Sequence, residues 1–379
     1  MNLTDIPIYD HHAHALLHEP LWRAGPIEPY FTEATDPLIL QHFARDTLFF
    51  RRSMRDLAAY YGCAPTMDAV LEARQNQDYG DLARHMFQDA RIDTVLIDDG
   101  VWPDRLWSVR QSADRLPCAV RRVLRLESEV ALLAAEHDSA AGLLTALETH
   151  LRHLAPTLAG LKSIAAYRTG LDISRPTAHS VEAAFTVLKR ETSPGAVPRV
   201  NSKPLIDSVV WTGLRVAVDT GLPVQFHTGY GDPDLDMRLA SPLHLRGVLE
   251  APELRGLKVV MLHCYPYVRE AGYLASVYGG AYLDLGLTIP YTSVTAMRTA
   301  TLEALHLAPV TKVLFSTDAQ RTPELYWLAA RWGRTVLGDA LDLTVRDGDL
   351  SPQEADWAAR RILHDNARDL YPSIVVRAS

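Results

Sequence analysis

The stretch "IPIYDHHAHALL", from Ile6 to Leu17, sets Asp10, His11, His12 and His14 within five residues of one another. An apolar run leads into them, so the segment reads as a strand, in which residues two apart face the same side. Asp10, His12 and His14 then project together, with His11 and Ala13 on the opposite face. Two imidazoles aimed into one concavity suit a divalent cation that prefers nitrogen donors. A histidine-rich segment also arises without any ligand role, so other ionisable groups must join these before a metal site is argued.

Such groups close several later apolar runs. "PVQFHTGYGD" ends its run in His227, "KVVMLHCYPY" in His263, and "KVLFSTDAQ" leads to Asp318. "GLKSIAAYRTGL" places Lys162 at a run's end with Arg168 after it, and Arg125 and Glu127 close another. One histidine closing a strand is more often structural than catalytic. As plain core, however, the whole set would leave several polar groups buried without partners, each costing roughly a few kcal/mol. A bound cation removes that cost, and metal binding is the expectation.

Other side chains fit around such a centre. An arginine fork, Arg125 or Arg168, suits a substrate carboxylate, with an ordinary Arg125–Glu127 ion pair as the plain alternative. Tyr167, Tyr230 and Tyr265 stand beside the expected ligands and either line a cavity or simply pack. Of Asp98 and Asp99, the one facing inward is placed to orient a histidine. Cys264 alternates away from His263 and reads as a small buried hydrophobe.

The elements that must position these residues follow from periodicity. Strands are expected at Ile6–His12, Thr94–Ile97, Ala119–Leu126, Gly160–Ile164, Pro223–His227, Lys258–His263, Ala281–Leu285 and Lys312–Ser316. Amphipathic helical stretches fall between them, at Val130–Leu154, Val181–Glu191, Leu205–Thr220 and Thr295–Leu307. Eight strands alternating with helices predict a parallel (β/α)8 TIM barrel, whose active sites gather at the strands' C-terminal ends. The interval from about residue 19 to 91 is too long for one crossover and is rich in aromatics. It is expected as a helical insertion capping the barrel mouth. "ETSPGAVPRVNSKP", from Glu191 to Pro204, reads as an exposed loop. Ser351, with Glu354 three residues on, reads as the capping box of a C-terminal helix. One domain over residues 1–379 is expected, since no linker or repeat interrupts the pattern.

Bulk properties narrow the class. A chain of 379 residues, 47% hydrophobic, can bury a large core. A net charge of −8, with the two signs interspersed, argues against nucleic acid and against an anionic membrane surface. Three cysteines without a CxxC spacing imply neither a disulfide framework nor a cysteine zinc site. No signal peptide or membrane span is read. A cytoplasmic enzyme acting on a small molecule, with a homo-oligomer allowed, is the expectation.

The ordered set "DHHAH", "GLKS", "QFHTG", "MLHCYP", "FSTDA" and "HDNARDLYP" resembles the amidohydrolase superfamily over nearly the whole chain. The finer likeness is to its "amidohydrolase 2" group. Within that group, "VLRLE", "GLKSIAAYRTGL" and "VQFHTGYGD" resemble the domain fused to glutamine-synthetase-like domains in fungal and plant proteins. The resemblance implies one or two divalent ions, zinc first and manganese second, with His12 and His14 at the more buried position and His227 as a further ligand. His263 is implied either as a ligand or as the group polarising a substrate carbonyl, and Asp318 as ligand and general base. Zinc brings the pKa of bound water near neutrality, and a neighbouring carboxylate can take that proton and later deliver it to a leaving nitrogen. Lys162 is implied as a metal bridge if carbamylated; otherwise its ammonium suits a substrate anion.

Three functions are then in competition. The first is hydrolysis of an amide-like C–N bond in a small molecule, carboxylated or not, with Asp318 and His263 catalytic and Arg125, Arg168, Lys162 and Tyr230 binding substrate. The second is non-oxidative decarboxylation of the aminocarboxymuconate-semialdehyde decarboxylase type. The third is a barrel that binds or regulates without catalysis. Lys162 favours the first, because a second metal suits hydrolysis.

Overall fold

The computed structural model describes residues 1–193 and 195–371. Pro194, within the expected loop, and Pro372, the last residue of the "HDNARDLYP" motif, lie outside the described residues.

Eight strands follow one another through one sheet in chain order. They are β1 Ile8–Ala13, β2 Ile92–Asp98, β3 Ala119–Arg125, β4 Leu158–Ser163, β5 Val224–His227, β6 Val259–Leu262, β7 Ala281–Asp284 and β8 Val313–Leu314. Helices separate them, and the fold is the expected (β/α)8 TIM barrel. Each expected strand is present with its ends shifted by a few residues. Pairing from β3 through β7 is parallel, as is β1 with β2. The composition suits this: "VVML" of β6 is buried throughout, the unbroken apolar run of a strand covered on both faces. In such strands a buried Lys162, Gln225 or His227 is an exception that needs a chemical reason.

Contacts divide the chain into two compact units. The first comprises Met1–Arg121, Leu285–Leu305 and Val313–Ala367. Its stretch between β1 and β2 is helical, as expected, with helices Glu19–Ala24, Pro37–His42, Leu48–Tyr61, Met67–Gln75 and Tyr79–Asp89. Thr47, Thr66 and Asp78 start three of them by accepting hydrogen bonds from Phe50, Ala69 and Asp81 amides. A buried ion pair, Arg74 Nε to Glu324 Oε1 at 2.5 Å, fastens this insertion to the long helix Pro323–Asp347. The capping box of Ser351 and Glu354 forms as read from the sequence.

The second unit holds Arg122–Asp284, His306–Lys312 and, of the described residues after Ala367, Arg368 to Tyr371. Here one expectation fails. The stretch Val130–Leu154 is not one helix but two, Leu126–Ala134 and Ala140–Leu154. Ser139 adopts an extended backbone and caps the second by accepting from the Gly142 amide, which stops the first from running through. The loop from 191 to 204 is largely exposed, although Pro198 and Val200 turn inward. Among the described residues, no helix is long and apolar enough to cross a membrane.

Candidate metal centre

In the first unit, His12 lies in β1, His14 just beyond it, and Asp318 four residues after β8. Asp318 Oδ1 is 3.2 Å from His12 Nε2 and 3.7 Å from His14 Nε2. Ligand atoms of the three all fall within 4.8 Å of one another. The two imidazoles stand nearly perpendicular, with centroids 5.2 Å apart. All three groups are largely withdrawn from solvent, His12 completely.

Backbone contacts between the ends of β1 and β8 create this convergence. The Asp318 amide donates to the His12 carbonyl at 3.1 Å, and the His14 amide to the Ala319 carbonyl at 2.8 Å. Asp10 accepts from the Thr317 amide at 2.9 Å and from the Thr317 hydroxyl. Although it shares a strand face with His12, Asp10 is thus an anchor for the residue before Asp318. Asp318 itself has a left-handed backbone, φ 46°, which Asp tolerates better than most residues. His14 Nδ1 lies 3.0 Å from the Asp98 carbonyl oxygen, which leaves its Nε2 to face Asp318. The orienting role expected of an Asp98 or Asp99 carboxylate is therefore filled for His14 by a backbone carbonyl.

Two imidazole nitrogens and a carboxylate oxygen, converging and with one imidazole oriented from behind, fit a divalent cation. Imidazole and carboxylate donors suit several divalent ions and do not by themselves choose among them.

Further groups gather near Asp318 that the sequence reading passed over. Tyr291 is half-buried, and desolvation pushes its phenol well above the usual range. The charges of Glu33 and Asp318 act in the same direction and that of Arg321 against it. Arg321 follows Asp318 by three residues and donates from Nη1 to the Pro29 carbonyl at 3.0 Å. Its place in "STDAQRT", directly after a strand end, was the available signal.

The second unit assembles its own cluster. The His227 and His263 ring centroids lie 4.6 Å apart, and the Tyr167 ring packs tilted against His227 at 4.4 Å. His227 Nε2 is 3.2 Å from the Tyr230 carbonyl, so Tyr230 meets it through its backbone. The Tyr230 ring packs edge-on to Tyr265. Gly231 leaves room for the Tyr167–His227 pair: a Cβ there would fall 1.9 Å from the Tyr167 hydroxyl and 3.1 Å from His227 Nε2 and would push the tyrosine aside. His263 and Cys264 both have left-handed backbones, φ 70° and 63°, and the His263 amide reaches the Asp284 carboxylate at 3.3 Å. Cys264 is the buried hydrophobe expected, its thiol pushed up to about 12 by burial.

Lys162 is buried in β4, in register with Arg125 on one side and Gln225 on the other. Arg168 is half-buried; burial, then the charge of Arg199, pulls its guanidinium down. Glu127 accepts from the Ser163 hydroxyl at 2.7 Å and the Ile164 amide at 3.0 Å, and its Oε2 is buried without a hydrogen bond. These bonds fix the turn that follows Lys162, a role the sequence reading did not give it.

Known proteins resemble this chain over half or more of its length. The amidohydrolase family model matches residues 175–373, just over half of the chain. Protein fluG of Emericella nidulans is 32% identical over 96% of this chain, which spans 45% of that relative's length. A candidate metal-dependent hydrolase from Lactobacillus casei, also 32% identical, superposes with a TM-score of 0.86, over 97% of this chain and 96% of its own. The uronate isomerase of Thermotoga maritima shares the fold at 13% identity, with a TM-score of 0.68 over 97% and 95% of the two chains. The chain belongs to the amidohydrolase family.

Proposed function

We infer that this protein is a metal-dependent hydrolase that cleaves an amide-like C–N bond in a small molecule. The observation that carries the reading is the convergence of His12, His14 and Asp318. Family membership and the likeness to the Lactobacillus casei protein support the coarser part, a metal-dependent hydrolase. The likeness to protein fluG supports the subgroup resembling domains fused to glutamine-synthetase-like partners.

His12, His14 and Asp318 would hold a divalent ion, zinc in the first instance. When bound, that ion supplies a Lewis acid that brings the pKa of water toward neutrality. Asp318 Oδ1, facing both imidazoles, is the group placed to accept a proton from water and return it to the leaving nitrogen. His227 and His263 keep the roles that the family resemblance implies, ligand for the first and ligand or carbonyl-polarising group for the second. Arg125, Arg168, Tyr230 and uncarbamylated Lys162 are the proposed substrate-binding groups; carbamylated, Lys162 would instead bridge two ions.

The test is a panel of γ-glutamyl amides and aromatic carboxylates offered to zinc-loaded and manganese-loaded protein. Release of ammonia or amine supports the hydrolase. Carbon dioxide alone would mean a decarboxylase instead. A purified protein holding less than about a tenth of a metal per chain, with no activity restored by added zinc or manganese, would point to a non-catalytic barrel.

A further inference from the structure

Arg321 is held in an unusual way. Its backbone is left-handed, φ 67°, the second such residue in four after Asp318, and a non-glycine residue keeps that conformation only where its surroundings enforce it. The enforcing contacts are its own amide donating to the Ala15 carbonyl at 3.1 Å and its carbonyl accepting from the Leu17 amide at 2.9 Å. The side chain is fixed as firmly. Nη1 donates to Pro29, and the guanidinium lies over the Trp102 ring at 4.2 Å. One end and one face are thus occupied. The remaining side edge, Nε with Nη2, makes no hydrogen bond among the described residues, and Nε is buried.

A buried guanidinium donor without an acceptor is costly. The surroundings do not supply that acceptor: Arg321 forms an ion pair with no carboxylate of the described residues. Arg105, whose guanidinium lies 6.0 Å from the same Trp102 ring, adds a second positive charge nearby. The Nε–Nη2 edge is the planar fork that takes a carboxylate through two parallel hydrogen bonds. Arg321 lies at the same join as Asp318: the Asp318 amide donates to the His12 carbonyl and the Arg321 amide to the Ala15 carbonyl, each at 3.1 Å, and the charges of both residues act on the Tyr291 phenol.

We propose that Arg321 is a substrate-anchoring residue whose free Nε edge receives a carboxylate of the molecule that reacts beside Asp318. The proposal rests on the hydrolytic reading above and narrows its substrate class to carboxylates. One open fork edge, with the Glu33 charge also acting on the guanidinium, fits a singly charged planar group better than a phosphate dianion.

The experiment measures binding, not turnover, so its outcome is separable from the reaction assigned above. Zinc-loaded protein is titrated calorimetrically with acetate, benzoate, glutarate, inorganic phosphate and neutral glutaramide. At least one carboxylate is expected to bind the unaltered protein, with phosphate and glutaramide at least tenfold weaker. Arg321→Met should weaken that carboxylate at least tenfold at unchanged zinc content. Arg321→Lys keeps a cation without the fork, guards against a folding defect in the first variant, and should also lose about tenfold. Carboxylate affinity unchanged in both variants, phosphate bound as tightly as the carboxylates, or no carboxylate bound by the unaltered protein would each overturn the proposal. So would loss of zinc together with affinity, which would make Arg321 a support of the metal centre. Failure of the γ-glutamyl and aromatic panel with carboxylate binding intact would instead count against the hydrolase reading alone.

Discussion

Asp318 grips His12 twice. Its amide donates to the His12 carbonyl at 3.1 Å, and its carboxylate oxygen stands 3.2 Å from His12 Nε2. The backbone bond fixes where the carboxylate begins, and the left-handed φ of 46° turns it toward the imidazoles. Ligand geometry here is therefore set by the join between the ends of β1 and β8.

Asp318→Asn is expected to lower turnover by about 10²-fold or more, the scale of a lost general acid–base. Asn tolerates the left-handed backbone as Asp does, so the fold should persist. Turnover on whichever panel compound is cleaved, with metal content and circular dichroism measured alongside, checks this. Activity close to that of the unaltered protein would remove Asp318 from the mechanism.

Metal removal should lower the melting temperature, and added zinc should restore it. A ligand held only by the folded state adds about 2.7 kcal/mol at a hundredfold excess over its dissociation constant. His12→Ala and His14→Ala, each deleting one of three converging donors, should blunt that response. Thermal melts with chelator and then zinc test it; a melting temperature indifferent to metal in the unaltered protein counts against a site at these residues.

Glu127 predicts a particular pH dependence. Burial raises its carboxyl above the usual range, against the bonds from Ser163 and Ile164 and the Arg125 charge, which pull it down. The folded state then holds this proton more tightly than the unfolded state. Stability from the group is full below the unfolded pKa, near 4.3, and is lost as pH rises through the folded value. Glu127→Gln stays neutral at every pH, so its stability relative to the unaltered protein should grow from pH 4 toward neutrality. The gain should be of the order of 1–3 kcal/mol, the scale of one unsatisfied buried polar group. Urea unfolding across that range reads it, and a difference independent of pH would contradict the assignment.

Arg74→Met should destabilise by about 3–5 kcal/mol, because it strands the buried Glu324 carboxylate. Arg74→Met with Glu324→Leu should recover much of that loss, since an apolar pair carries no desolvation penalty. A double-mutant cycle by denaturant unfolding separates the pair from its parts. Equal destabilisation by the single and double variants would mean that packing, such as Arg74 over the Trp22 ring at 3.8 Å, matters more than charge.

Much of this was legible along the chain. Strands buried on both faces must be apolar and short, so all eight were readable as interruptions in helical periodicity. The residues closing those runs were readable too: His12, His14 and Asp318 are costly beside apolar neighbours unless they meet, and they do. The break between Ala134 and Ala140 was not, because apolar spacing continued across it while the Ser139 cap, a local backbone choice, overrode it.

Contacts between residues far apart in the chain had no such trace. That Asp10 turns to Thr317, that a carbonyl of Asp98 orients His14, and that Pro29 and Trp102 immobilise Arg321 all join segments from separate elements. Periodicity records which face a side chain takes on its own strand or helix. It carries nothing about which distant atom arrives there, since that depends on how β1, β2, β8 and the insertion after β1 pack in three dimensions. Residue types at strand ends therefore named the chemistry, and packing alone chose the partners that aim it.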